Sequence, residues 1–268
     1  MIGAILGDIV GSIYEFDNIK TKKFELFGRD CIFTDDTIMT VAVADALMRF
    51  EDVTDENVEE FKKVLIKRMH YWGNKYPDAS YGGRFIFWVL MRRTEPYNSL
   101  GNGSAMRVSP VGWYAKSVEQ ARMLAKATAE VTHNHPEGIK GAVATAEAIF
   151  WARNRAGMPQ IKKEMERYYS LNFTLDEIRP TYDFDATCQG TVPQAIQAFL
   201  ESKDFEDAIR NAISVGGDSD TLAAITGSVA EAYFGIPEDL KETALSYLDD
   251  EILDVVERFT EKVLRSND

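Results

Sequence analysis

Apolar positions along the chain recur mostly at intervals of three and four residues, the spacing of one helix face. Between 37 and 50, Ile38, Val41, Ala42 and Ala46 share one face, while Val43, Leu47 and Phe50 line the next. That predicts a helix buried on most sides, with Asp45 as its polar exception. The same period runs through 58–71 and 118–131. Pro136 has the place of a first-turn proline, opening a helix through Gly141 to Trp151. Segments 193–200 and 205–215 read as short helices. Segment 220–234 reads as an alanine-rich helix that stops at Gly235, with Pro237 beyond. Two more helical stretches, 240–248 and 252–264, close the chain. Two-residue alternation, the sign of strands, is almost absent. The expectation is an all-α fold, a compact orthogonal helical bundle, with 171–190 as a long surface loop.

A chain of 268 residues is near the upper limit for one core, and no linker or repeat divides it, so a single domain over 1–268 is expected. Apolar residues make up 45% and charged residues 27%, enough to bury a core without staples. The net charge of -13 repels phosphate backbones and argues against nucleic acid as a partner, though a local pocket can still take a small phosphate ligand. Cys31 and Cys188 form no C-x-x-C pair, which suits a reducing, cytoplasmic setting. No stretch of about 18 apolar residues is present, so no membrane association is expected.

Two acidic clusters change the picture. Thr34-Asp35-Asp36-Thr37 and Asp218-Ser219-Asp220-Thr221 each set an acidic pair beside threonines at a helix start. Adjacent carboxylates repel unless something positive sits between them, and a hard divalent cation with oxygen ligands does this. Taken singly, each cluster also reads as an ordinary capped helix end. Their shared design favours one site, and its oxygen donors suit Mg²⁺ or Mn²⁺ better than Zn²⁺.

Other stretches stay open on their residues alone. Gly3, Gly7 and Gly11 mark a smooth helix face for close helix contact. Glu15, a lone acid, reads as a solvated residue. The run Gly101-Asn102-Gly103-Ser104-Ala105-Met106-Arg107 offers free amides to an anion, or is a plain turn, and Arg107 suits a phosphate or a structural carboxylate equally. Thr132-His133-Asn134-His135 reads as a polar helix-start loop rather than a zinc site, since no third His or Cys is near. Tyr81-Gly82-Gly83-Arg84-Phe85 reads as a glycine turn, and His70 has no evident partner.

Together and in order, these motifs resemble the ADP-ribosylglycohydrolases, the group that includes the dinitrogenase-reductase-activating glycohydrolase. The carriers are G-A-I-L-G-D-I-V-G-S-I-Y-E from Gly3, F-T-D-D-T from Phe33, G-N-G-S-A-M-R from Gly101, T-H-N-H-P-E-G from Thr132 and V-G-G-D-S-D-T from Val215. The resemblance runs from Gly3 to Pro237 and implies an all-α fold with two Mg²⁺ or Mn²⁺ ions in a cleft. It implies Thr34, Asp35, Asp36, Asp218, Asp220 and Thr221 as metal ligands, and it moves Glu15 into the site, with Asp36 or Glu15 as the catalytic carboxylate. It implies that Asn98, Ser99, Gly101, Asn102, Gly103, Met106, His133, Gly216 and Gly217 contact the ligand. The implied reaction is removal of ADP-ribose from a modified protein side chain, arginine- or serine-linked, by cleavage at C1″. The competing readings are a hydrolase of a small ADP-ribose ester or N-glycoside, a non-catalytic descendant of the fold, as among lens crystallins, and an unrelated divalent-ion binder.

Overall fold

The computed structural model describes residues 1–265. Those residues form fifteen α-helices and no strand. The first seven are α1 (Ile2–Gly11), α2 (Asp35–Leu47), α3 (Val58–Lys75), α4 (Gly83–Leu90), α5 (Gly103–Met106), α6 (Ser109–Tyr114) and α7 (Val118–Glu130). There follow α8 (Pro136–Arg153), α9 (Met158–Met165), α10 (Leu175–Ile178), α11 (Cys188–Leu200) and α12 (Phe205–Val215), then α13 (Ser219–Phe234), α14 (Glu238–Leu245) and α15 (Asp250–Arg265). No helix among the described residues is long and apolar enough to cross a membrane. The all-α expectation holds.

The most extensive helix pairing joins α1 to α13, and small residues make it possible. A Cβ on Gly3 would lie 2.2 Å from the carbonyl oxygen of Gly227, and one on Gly7 2.1 Å from that of Ala223. A Cβ on Gly11 would lie 2.5 Å from Cα of Asp220. The three pairings run in opposite order along the two helices, so these are antiparallel. The C-terminal end of α1 therefore lies against the N-terminal end of α13, which brings Glu15 to Asp218 and Asp220. The smooth glycine face thus acts as a positioning device for the site.

α2 is buried along nearly its whole length, as its two-faced pattern requires. Asp45 is tolerated there because its carboxylate accepts from Trp72 Nε1 at 3.0 Å and from Arg49 at 3.0 Å. α2 starts at Asp35 rather than 37 and ends at Leu47 rather than 50.

Five short elements escape the periodicity. The glycine turn at 81–85 opens α4, which buries Phe85, Trp88 and Val89 but exposes Phe87 and Leu90, so its face is blurred. Further along the chain, the Gly101 loop leads into α5 and α6. α9 buries only Ile161 and Met165. The expected loop at 171–190 holds α10, closed by a capping box between Thr174 and Glu177, and the start of α11. Thr187 caps α11, so Pro193 lies inside that helix instead of opening it.

Candidate active site

Two helix N-termini and the turn after α1 converge on the acidic clusters. Thr34 is the N-cap of α2, and its hydroxyl accepts from the backbone N–H of Asp36 at 3.4 Å. Capping is thus done by Thr34, leaving Asp35 and Asp36 in the first turn without that duty. Asp218 holds the N-cap position of α13 but makes no capping bond. Its carboxylate instead accepts from Asn102 Nδ2 at 2.7 Å. The ordinary capped-helix reading therefore fails for Asp35, Asp36 and Asp218. Thr221 Oγ1 joins the clusters by donating to Asp36 Oδ2 at 3.2 Å.

Glu15, Asp35, Asp36, Asp218 and Asp220 all line one cavity of about 330 Å³. One ligand oxygen from each of Glu15, Asp218 and Asp220 lies within 4.8 Å of the others. Two like charges 4 Å apart repel by about 4 kcal/mol at an effective dielectric of ~20. Burial, with mutual repulsion added, pushes the carboxyls of Asp35, Asp36 and Asp220 well above the usual range. Burial first, then the charges of Asp218 and Asp8, pushes Glu15 up to about 7. Asp36 Oδ1 is buried and has no hydrogen-bond partner among the described residues. An orphaned carboxylate oxygen in a crowd of carboxylates fits a site built for hard cations.

Asp8 is the positioning residue that periodicity missed. Fully buried in α1, it accepts from the backbone N–H of Thr34 at 2.9 Å and of Thr37 at 3.0 Å. It also accepts from the hydroxyls of both threonines. Asp8 thereby fixes the first turn of α2 from behind. The signal was present as one acid in an apolar glycine-spaced helix. A second device is Asn18, whose side chain accepts from Gly217 N at 2.7 Å and donates to Gly217 O at 2.9 Å and Glu15 O at 3.0 Å. It ties the Glu15 turn to the turn that presents Asp218.

The cavity's other end is built from the 101–107 run and the loop before α8. Ser99, Gly101, Asn102, Gly103, Met106 and His133 line it, as does Arg107. Asn102 spans the two ends. Its Nδ2 also donates to Thr191 Oγ1 at 3.0 Å, while its backbone N–H donates to Ala186 O at 2.8 Å. Phe184 and Ala186, from the segment expected to be a surface loop, complete this wall. Burial, with Arg107 and Arg84 beside it, holds the His133 ring well below its usual pKa, so it is neutral at pH 7. His135 turns away and caps α8, its Nδ1 accepting from the N–H of Glu137 at 3.1 Å. The H-x-H pair is therefore no chelate.

Not every expected residue reaches the cavity. Thr34 sits one layer behind it, bonded to Asp8. Asn98 is exposed beside it with a φ of 52°, its N–H donating to Asn134 Oδ1. Gly216 and Gly217, both at φ 76°, form a turn that lies behind Asp218 and outside the lining. Their glycine requirement comes from that positive φ and from close neighbours: a Cβ on Gly217 would lie 2.5 Å from the Tyr182 ring.

The family model for ADP-ribosylglycohydrolase matches residues 1–268. The chain belongs to the ADP-ribosylglycohydrolase family. Membership makes it a hydrolase of glycosidic bonds. Human ADP-ribosylhydrolase ARH3 is 24% identical, with 94% of this chain and 90% of that protein covered. ADP-ribosylarginine hydrolase Tri1 of Pseudomonas putida (strain GB-1) is 26% identical, with 92% of this chain and 73% of that protein covered. A solved structure described as an ADP-ribosylglycohydrolase-related protein complex shares the fold at a TM-score of 0.69 and 21% identity, covering 98% of this chain and 97% of its own.

Proposed function

We propose that the chain, acting as a single domain, is a divalent-metal-dependent hydrolase that releases ADP-ribose from a modified protein side chain by cleaving the bond at C1″. The observation that carries this reading is the cavity itself, with five carboxylates at one end and Arg107, Arg84 and His133 at the other. A ligand with a polyhydroxylated sugar at one end and a diphosphate in its middle matches that polarity. The relatives named for ADP-ribosylhydrolase activity support it.

Asp35, Asp36, Asp218, Asp220 and Thr221, with Thr34 behind them, would hold two Mg²⁺ or Mn²⁺ ions. The orphaned Asp36 oxygen and the crowded acids fit that role. Such ions supply Lewis-acid polarisation and a lowered pKa for a nearby water. The chain's own residues do the rest. Asp36 or Glu15 orients the attacking water and accepts its proton. The remaining carboxylates stabilise the positive charge that develops at C1″ as the bond to the acceptor breaks, and the acceptor leaves with a proton. The loop at 101–103 and His133 hold the rest of the ligand, which fixes C1″ against the carboxylates. Two free, buried cysteines suit the cytoplasm.

The test is release of ADP-ribose from arginine-linked and serine-linked protein substrates, with Mg²⁺ or Mn²⁺ and with EDTA. Metal-dependent release of either supports the reading. No release of either under any metal condition, from protein that still binds ADP-ribose, would sink it.

A further inference from the structure

Arg107 is a buried cation at the basic end of the cavity that takes no part in the chemical steps above. It is 1% exposed and lines the cavity. Among the described residues its hydrogen bonds go to no carboxylate: Nη2 donates to Thr128 O at 2.8 Å and to Thr132 Oγ1 at 2.8 Å. Nε is buried with no partner. A buried charge without a counter-ion is costly, and core packing alone would be served better by an apolar side chain. The structural-carboxylate role considered from the sequence is not what the side chain does.

The bond to Thr132 has a consequence one residue further on. A guanidinium only donates, so Thr132 Oγ1 accepts from Arg107, and among the described residues its own hydrogen has no acceptor other than His133 Nδ1. His133 Nδ1 lies 2.7 Å from that oxygen. With Nδ1 accepting, the proton of the neutral ring must sit on Nε2. Nε2 points to the loop: a Cβ on Gly103 would lie 3.1 Å from it and one on Gly101 3.6 Å. Glycine at those positions keeps the space in front of Nε2 open.

We propose that Arg107 is a positioning residue which, through Thr132, fixes His133 as an Nε2–H donor toward an anionic oxygen of the ligand in the cavity. The ligand class is a phosphoanion, and Arg107 supplies the buried positive charge that favours it. This rests on the proposed function for the identity of the ligand, but the tautomer does not depend on it.

The experiment is long-range ¹H–¹⁵N NMR of the imidazole nitrogens. The chain has three histidines, and His133→Gln assigns the signal of interest. The unsubstituted protein should show a neutral His133 ring with its proton on Nε2. Thr132→Val keeps the shape and removes the donor to Nδ1, so the ring should become a mixture of tautomers, and Thr132→Ser should restore the single form. Calorimetry then compares ADP-ribose with adenosine, which lacks the diphosphate. Loss of a hydrogen bond to a charged group implies roughly tenfold weaker ADP-ribose binding in Thr132→Val. Adenosine binding should be unchanged, and Arg107→Met should weaken ADP-ribose further. A proton on Nδ1 in the unsubstituted protein, or an unaltered Nε2–H ring and ADP-ribose affinity in Thr132→Val, overturns the proposal. If the unsubstituted chain binds no ADP-ribose, the proposed function fails while the NMR result still decides the relay.

Discussion

The two ends of the cavity solve opposite problems with the same means. At one end, carboxylates crowd together with no positive partner among the described residues, and burial drives their proton affinity up. At the other, Arg107 is buried with no carboxylate partner among the described residues, and burial lowers its pKa to about 10. Each end would be relieved by a ligand of the opposite sign, and both are held by buried hydrogen bonds. Asp8 locks the first, and the Arg107–Thr132 bond locks the second. Asn102 touches Asp218 directly, so the two ends form one site. Uncompensated charge held on a rigid frame is what pre-organisation for a ligand looks like.

The strongest way to break this comparison is to remove the acidic end. Asp35→Ala and Asp220→Ala should bring ADP-ribose release below detection and abolish tight metal binding, with helix content by circular dichroism near normal. Retained activity would mean the acids are structural.

Removing the support instead of the ligands should have a smaller effect. Asp8→Asn replaces an all-acceptor carboxylate with a side chain that must also donate, against four donors from Thr34 and Thr37. Metal affinity should fall by about 10–100-fold, the range for a lost supporting partner of a metal ligand. Calorimetric titration with Mn²⁺ checks it, and unchanged affinity would show that α2 holds its own first turn.

Gly7→Ala probes the geometry alone. Its Cβ would overlap the Ala223 carbonyl, so α1 must shift from α13. Overpacking of this kind costs about 1–3 kcal/mol. Urea denaturation measures it, and activity should drop further than stability because Glu15 moves relative to Asp218.

The smallest effect is one of pH and separates the empty acidic end from the loaded one. Glu15 titrates at about 7 in the folded chain against an unfolded value of 4.5. A raised folded pKa gives stability that is full below 4.5 and is lost as pH rises through 7. Asp35, Asp36 and Asp220 shift in the same direction. In EDTA, thermal stability should therefore decline as pH rises from about 5 to 8. With Mg²⁺ the carboxylates are held ionised and that decline should be smaller, so the gap between the two curves widens with pH. A constant gap would show that the acids and the metal do not share a site.

The fold was legible where one helix face repeats over several turns, as in α3 and α7, or where a first-turn proline marks the start, as in α8. It was not legible in α4 or α9, where few positions are buried and the period has no length over which to show. Pro193 misled because a proline usually marks a helix start, and only the cap made by Thr187 reveals the true one. The site was legible in part. Adjacent acids beside threonines announce themselves in sequence, but each cluster also looks like a cap, and only the structure shows Thr34 doing the capping while Asp218 does none. Asp8 and Asn18 were hidden because their partners lie 26 to 29 and 199 residues away. No local pattern records a bond of that span.

If one ligand spans the cavity, meeting the acidic end through its cations and the basic end directly, then calorimetric titration of ADP-ribose into metal-loaded and EDTA-treated protein should tell the two states apart. Metal removal should weaken ADP-ribose binding by at least about tenfold, or 1.4 kcal/mol, while adenosine binding stays the same. Equal ADP-ribose affinity with and without metal would contradict it, because the acidic end would then take no part in holding the ligand.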